Sequence, residues 1–184
     1  MQLILIRHGQ SESNIDKTIL SKKPDHLIEL TYFGRQQALN AGNVLNKLGI
    51  KTATFFVSPF LRAKQTLDEI NKSVNSINTI EDIRLREQDI GNFIHDISVI
   101  HEERSKHSRF FYRFPNGESC ADVFIRVQQF LTDNKRQFMY ATNPIIVTHA
   151  ATMRVFEMIC KNLTYQEFDR LKKPANASIL KLEI

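Results

Sequence analysis

Residues 3–14 read LILIRHGQSESN, and the junction inside this stretch decides the fold. Leu3 to Ile6 are four consecutive apolar residues, too short a run for an amphipathic helix. Their bulk suits a strand buried on both faces, as in a parallel sheet. At the end of that strand the chain sets Arg7 beside His8 and then runs through polar residues to Asn14. In an open α/β sheet, ligands bind beyond the carboxyl ends of the strands. Arg7-His8 therefore marks one edge of the expected sheet as the place to look for chemistry.

Outward from this strand, residues 31–48 carry Phe33, Ala38, Ala41, Leu45 and Leu48 at helical spacing, with Thr31 to cap the start and Gly49 after the end. Phe55 to Val57 form a second buried strand. Ser58-Pro59 then reads as an N-cap followed by proline at the first helical position, opening a helix to about residue 72. A polar loop rich in Asn and Ser leads to IEDIRLREQDIGNF, expected as a brief strand and an irregular turn at Gly91. Residues 96–114 are charged and aromatic together and end in the turn Pro115-Asn116-Gly117, a lid-like excursion spanning 93–117. A helix from Ser119 to about Tyr140 presents Val123, Phe124, Val127, Phe130 and Leu131 on one face. PIIVTH is a third buried strand. Helices over about 152–161 and 164–171 and an alternating final strand, SILKLEI, complete the chain. Strands alternating with helices predict an α/β fold, a mostly parallel sheet with helices on both faces, in one domain over residues 1–184.

Composition bounds the function. With 42% hydrophobic and 24% charged residues, the chain has ordinary globular make-up and does not read as disordered or fibrous. LILI is far shorter than a signal-peptide core or a membrane span, so a cytoplasmic protein without membrane contact is expected. Cys120 and Cys160 are two isolated thiols in predicted helices, read as small core residues rather than a disulfide framework. A net charge of +5 and a pI near 9.3 favour anionic partners of any kind, from nucleic acid to a small phosphate ester.

The strand ends narrow that choice. The first ends in Arg7-His8, the second in Ser58-Pro59 with Arg62 one helical turn on, and the third in His149 at a helix start. Arginine suits phosphate because its planar fork donates two parallel charge-assisted hydrogen bonds, and two arginines suggest a dianion. The helix after His149 is expected to add backbone N–H groups to the same space. A neutral imidazole among such cations is a nucleophile able to attack phosphorus, which makes phosphoryl transfer the reaction class. The leaving alkoxide needs a proton, and Glu87 in LREQDIG is the candidate donor, with Asp89 a rival that spacing alone does not separate.

In that order and separation, LILIRHGQSESN, SPFLRAKQT, LREQDIGNF and IVTHAATMRVF resemble the successive motifs of the histidine phosphatase superfamily, the phosphoglycerate mutase-like branch. PDHLIELTYFGRQQA, FPNGESCADVFIRV and PANASIL are similar to a subgroup of small phosphatase-like members, so the likeness spans nearly the whole chain. The resemblance implies a phosphohistidine at His8, a phosphoryl group held by Arg7, Asn14, Arg62 and His149, proton donation by Glu87, and a reaction needing no metal or cofactor. The position after the second histidine is usually glycine in this family. Here it is Ala150, whose N–H is retained for substrate binding but whose methyl group bears on specificity.

Each motif alone has a plainer reading. Arg7-His8 alone fits a strand end with a satisfied histidine, Arg62 a solvent-facing helix arginine, and His149 a core histidine; four of them together at strand ends outweigh these. HEERSKH places His101 and His107 six apart, which is not the HExxH zinc pattern, and neither GxxxxGK[ST] nor GxGxxG occurs. Arg104, Lys106, His107, Arg109, Tyr112 and Arg113 in the lid-like stretch are equally readable as an anion-holding surface or a charged exposed helix. The expected function is hydrolysis of a small phosphomonoester. A mutase-type transfer, a phosphate-binding regulator without turnover, and a nucleic-acid-binding module resting on composition alone are the alternatives. A homo-oligomer is compatible with all of them.

Overall fold

The computed structural model describes residues 1–91 and 108–184. Strand β1 (Gln2–Arg7) is buried from Leu3 to Arg7, as its unbroken apolar run requires. It pairs in parallel with β4 (Pro144–Thr148) on one side and antiparallel with β5 (Ile179–Glu183) on the other. Strand β4 also pairs in parallel with β2 (Thr52–Val57), and β2 with β3 (Asn75–Glu81), giving the order β3-β2-β4-β1-β5. The expected mostly parallel sheet is thus present, with its one antiparallel strand at an edge.

Side-chain alternation along β1 divides the core into two. Leu3 and Leu5 join Phe56 and Ile146 on one face, against Val123, Val127 and Phe130 of α4 (Cys120–Tyr140), Phe156 of α5 (Ala150–Cys160) and Phe168 of α6 (Tyr165–Arg170). Ile4 and Ile6 join Phe55, Val57, Ile145 and Val147 on the other, against Leu45 of α2 (Tyr32–Lys47) and Ala63, Leu67 and Ile70 of α3 (Leu61–Ile70). A short α1 (Glu12–Ile15) follows the β1 loop.

Several elements differ from the sequence reading. Helix α2 starts as expected, with Thr31 Oγ1 accepting from the Gly34 N–H at 3.0 Å. Phe33 and Leu48, however, are exposed, and the buried face is the small-residue stripe Gly34, Ala38, Ala41 and Gly42 with Leu45. Close approach of α3 selects that stripe: a Cβ at Gly42 would sit 2.9 Å from the Ile70 carbonyl oxygen. Ser58-Pro59 does not cap α3, whose N-cap is Phe60 without a side-chain cap; Ser58 is taken by His149 instead. The polar residues 75–79, expected as loop, form the edge strand β3 together with Ile80 and Glu81, while Ile83–Leu85, expected in the brief strand and turn, is a single 3₁₀ turn. An edge strand bonded on one side needs little apolar surface, so its polarity hid it. Cys120 is a buried core residue as expected; Cys160 is half-buried, and burial raises its thiol pKa to about 11. Of the expected lid, residues 93–107 lie outside the described residues, with His101, Arg104, Lys106 and His107 among them. Its remainder folds as turns that bury Phe110 and Phe114. No helix among the described residues is long and apolar enough to cross a membrane.

Candidate active site

The strand order places β2, β4 and β1 side by side, so three strand ends meet. The ladders run one residue past each strand: His8 N–H donates to the Thr148 carbonyl at 2.9 Å and Ser58 N–H to the Val147 carbonyl at 3.0 Å. His8 and His149 consequently stand with ring centroids 5.1 Å apart, 3% and 0% exposed.

His8 Nδ1 lies 2.7 Å from the Gly9 carbonyl oxygen. A carbonyl only accepts, so Nδ1 carries the hydrogen and Nε2 keeps its lone pair. Burial, then the Arg62 and Arg7 guanidinium groups, hold the His8 pKa well below 6.5, and burial with Arg62 does the same for His149. Both rings are neutral at physiological pH. His149 Nε2 is 2.7 Å from Ser58 Oγ, which itself accepts from the Phe60 N–H at 3.3 Å. A hydroxyl carries one hydrogen and two lone pairs, so Ser58 Oγ serves His149 Nε2 either as donor or as acceptor.

Both arginines are anchored at one end. Arg7, 5% exposed, donates through Nη1 to the Pro174 carbonyl at 2.7 Å, and burial lowers its pKa. Arg62, 3% exposed, gives Nη1 to the Asp25 carbonyl at 2.6 Å and pairs with the Asp25 carboxylate, Nη1–Oδ1 2.9 Å and Nη2–Oδ2 3.2 Å. Its guanidinium carbon lies 4.9 Å from the Phe60 ring centre, and the Phe60 ring lies 5.2 Å from that of His149. Thr66 Oγ1 accepts from the Gly9 N–H at 3.0 Å and donates to the Arg62 carbonyl at 2.7 Å, tying the β1 loop to α3.

Two buried nitrogens in this cluster have no hydrogen-bond partner, Arg7 Nε and His149 Nδ1. Arg7 Nε is a donor, and leaving such a group unpaired costs about 1–3 kcal/mol. An unanswered guanidinium N–H beside two neutral imidazoles describes a place where anionic oxygens belong.

Glu87 lies where the sequence reading expected α5 to offer free N–H groups. Its Oε2 accepts from the Ala150 N–H and its Oε1 from the Ala151 N–H, each at 3.1 Å. The N-terminus of α5 is thus occupied by a carboxylate, a favourable placement against the helix dipole. Asp89, the rival donor, is exposed and accepts from the Gly91 N–H at 2.8 Å. Ala150 lies inside α5 and is not among the residues with positive φ, so its methyl group imposes no backbone strain. Asn14 Oδ1 accepts from Asn176 Nδ2 at 2.9 Å, and the same amide reaches the His8 carbonyl at 3.2 Å.

Of the candidate residues named from sequence, Arg7, His8, Arg62, Glu87, His149 and Ala150 gather at this edge directly and Asn14 through Asn176, while Arg104, Lys106 and His107 lie outside the described residues. Asp25, Phe60, Thr66, Lys173, Pro174 and Asn176 were missed, as was the bond of Ser58 to His149. Lys173 is in the electrostatic field of Arg7 and Glu87, and partial burial and Arg7 lower its pKa. Such contacts cross up to 168 positions of sequence and leave no local signal. Among the described residues no group of His, Cys, Asp and Glu is placed to hold a metal ion.

Two buried histidines and two buried arginines thus meet at one edge of the sheet, and comparison with known proteins identifies the family. The family profile of the histidine phosphatase superfamily (branch 1) matches residues 3–184, and the chain belongs to that superfamily. It is 38% identical over 204 residues to the phosphoglycerate mutase-like protein AT74 of Arabidopsis thaliana, covering 100% of this chain and 65% of that protein's length. It is 29% identical over 283 residues to the broad-range acid phosphatase DET1 of Saccharomyces cerevisiae, covering 99% of this chain and 85% of that protein. Mycobacterial glucosyl-3-phosphoglycerate phosphatase shares the fold with a TM-score of 0.78 at 20% identity, over 99% of this chain and 92% of that one. The α-ribazole phosphatase of Shigella flexneri does so with a TM-score of 0.78 at 20% identity, over 100% and 91%.

Proposed function

We propose that the protein hydrolyses small phosphomonoesters through a phosphohistidine at His8. The observation that carries this reading is the buried, unpartnered Arg7 Nε and His149 Nδ1 beside a neutral His8 whose Nδ1 hydrogen is held by the Gly9 carbonyl, leaving its Nε2 lone pair for attack. Phosphoryl oxygens would answer the Arg7 Nε–H, with His149, Arg62 and the Asn14 amide completing the cradle.

In the first step the incoming phosphoryl group displaces Glu87 from the α5 terminus and Glu87 takes up a proton from solvent; His8 Nε2 attacks phosphorus, the ester P–O bond breaks, and Glu87 gives that proton to the leaving oxygen. The displacement frees the Ala150 and Ala151 N–H groups for the phosphoryl oxygens. In the second step the Glu87 carboxylate takes a proton from water, the water oxygen attacks phosphorus, and the P–N bond breaks to release inorganic phosphate and neutral His8. The likeness over 99% of the chain to a broad-range acid phosphatase supports hydrolysis over mutase-type transfer.

Release of 4-nitrophenol from its phosphate ester, with chelator present and between pH 5 and 7, tests this. Turnover is expected for the intact protein and a loss of at least about a thousandfold for His8→Ala. Phosphate binding by calorimetry without turnover would instead favour a phosphate-binding regulator.

A further inference from the structure

Beside the phosphoryl pocket lies a cleft of about 220 Å³ lined by Asp25, His26, Phe60, Arg86, Glu87 and Asp89. Glu87 and Phe60 join it to the reacting groups, so under the phosphatase reading it is where the leaving group sits. Its charges are unevenly matched. Three of the six lining residues carry carboxylates and one a guanidinium. That guanidinium, Arg86, is in an ion pair with Glu118, whose carboxylate it shares with Arg126. Asp25 is held by Arg62, and its side chain remains 40% exposed. Asp89 makes no ion pair among the described residues; its Oδ1 meets only the Gly91 N–H and the side chain stays in solvent. Lys173 is in the electrostatic field of both Arg7 and Glu87 and is not among the lining residues. The Phe60 ring supplies an apolar wall.

We infer that this cleft selects phosphomonoesters whose leaving group carries no second negative charge, and that Asp89 is a specificity-determining residue. A carboxylate or second phosphate on the leaving group meets like charge with no unpaired lysine or arginine among the described lining residues to answer it, whereas a hydroxyl or ammonium group is accepted. The inference rests on the hydrolase reading above and narrows its substrate class.

Three esters of one skeleton test it: 2-hydroxyethyl phosphate, O-phosphoethanolamine and phosphoglycolate, with neutral, cationic and anionic tails. The intact protein is expected to show kcat/KM about tenfold or more lower for phosphoglycolate than for the neutral ester, with the ammonium ester at least equal to it. Asp89→Asn should narrow that ratio several-fold and Asp89→Lys should abolish or invert it; added salt should narrow it as well. The ratio is the readout, so a variant that lowers all three esters alike counts against the proposal. Equal use of phosphoglycolate by the intact protein, or a ratio unmoved in Asp89→Lys, overturns it while leaving the phosphatase reading intact. Failure to hydrolyse any of the three, together with inactivity on the aryl ester, overturns the phosphatase reading itself.

Discussion

Burial strips the His8 and His149 imidazoles of water while guanidinium groups press on them, and both consequences are measurable. Their folded pKa values lie well below 6.5, so between those values and 6.5 the unfolded chain binds protons that the folded chain does not. Stability then rises with pH across that window, is complete above it, and is lost as the pH falls. Each ring contributes roughly 1.4 kcal/mol per pH unit. Urea unfolding at pH 5 and pH 7 should show the difference, and His8→Gln should shrink it by one ring's share; an unchanged slope in the variant would refute this. The residues at strand ends were legible in the sequence because a strand end is a local feature. Asp25 was not, since its carboxylate meets Arg62 only after thirty-seven residues of chain have folded back.

At the scale of elements, the β1 loop and the start of α2 meet through two glycines. A Cβ on Gly34 would fall 1.9 Å from the Gln10 carbonyl oxygen, and one on Gly9 2.3 Å from the Gly34 carbonyl oxygen. These atoms are backbone and cannot swing aside. Gly34→Ala is therefore expected to destabilise the fold by about 2–3 kcal/mol. It should also raise KM for the aryl phosphate, because the displaced segment begins one residue after His8. A lower thermal midpoint with unaltered KM would show that the loop absorbs the shift without moving the site. The sequence showed α2 by its period and cap but misjudged its face. Phe33 is large and apolar, yet the helix is drawn in on its small residues, a preference set by how near α3 comes. In the same way Ser58 looked like a helix cap until a histidine from another strand claimed its hydroxyl.

Across the whole molecule the sheet separates two cores, and the aromatic one lies on the face of α4 and α5. Phe56 meets Phe130 edge-on at 5.8 Å and Phe138 at 4.8 Å, while Phe130 meets Phe156 at 6.0 Å. Phe130→Ala should cost about 3–5 kcal/mol in chemical denaturation. The phenyl ring touches none of the proposed phosphate ligands, so KM at 15 °C should remain within about twofold of the parent if two-state behaviour holds. The class of fold was readable from buried strands alternating with amphipathic helices. The strand order was not, nor was β3, whose polar residues are those of an edge.

The antiparallel strand β5 has a temporal consequence. Arg7 leans on the Pro174 carbonyl, the His8 carbonyl accepts from Ala177 N–H, Arg7 N–H reaches the Ser178 carbonyl, and β5 itself lies against β1. At ribosomal speeds of roughly 5–20 residues per second, these partners emerge many seconds after the histidine they support. A nascent chain thus displays His8 before these supports exist, and the geometry of this edge is complete only when residues 174–183 dock.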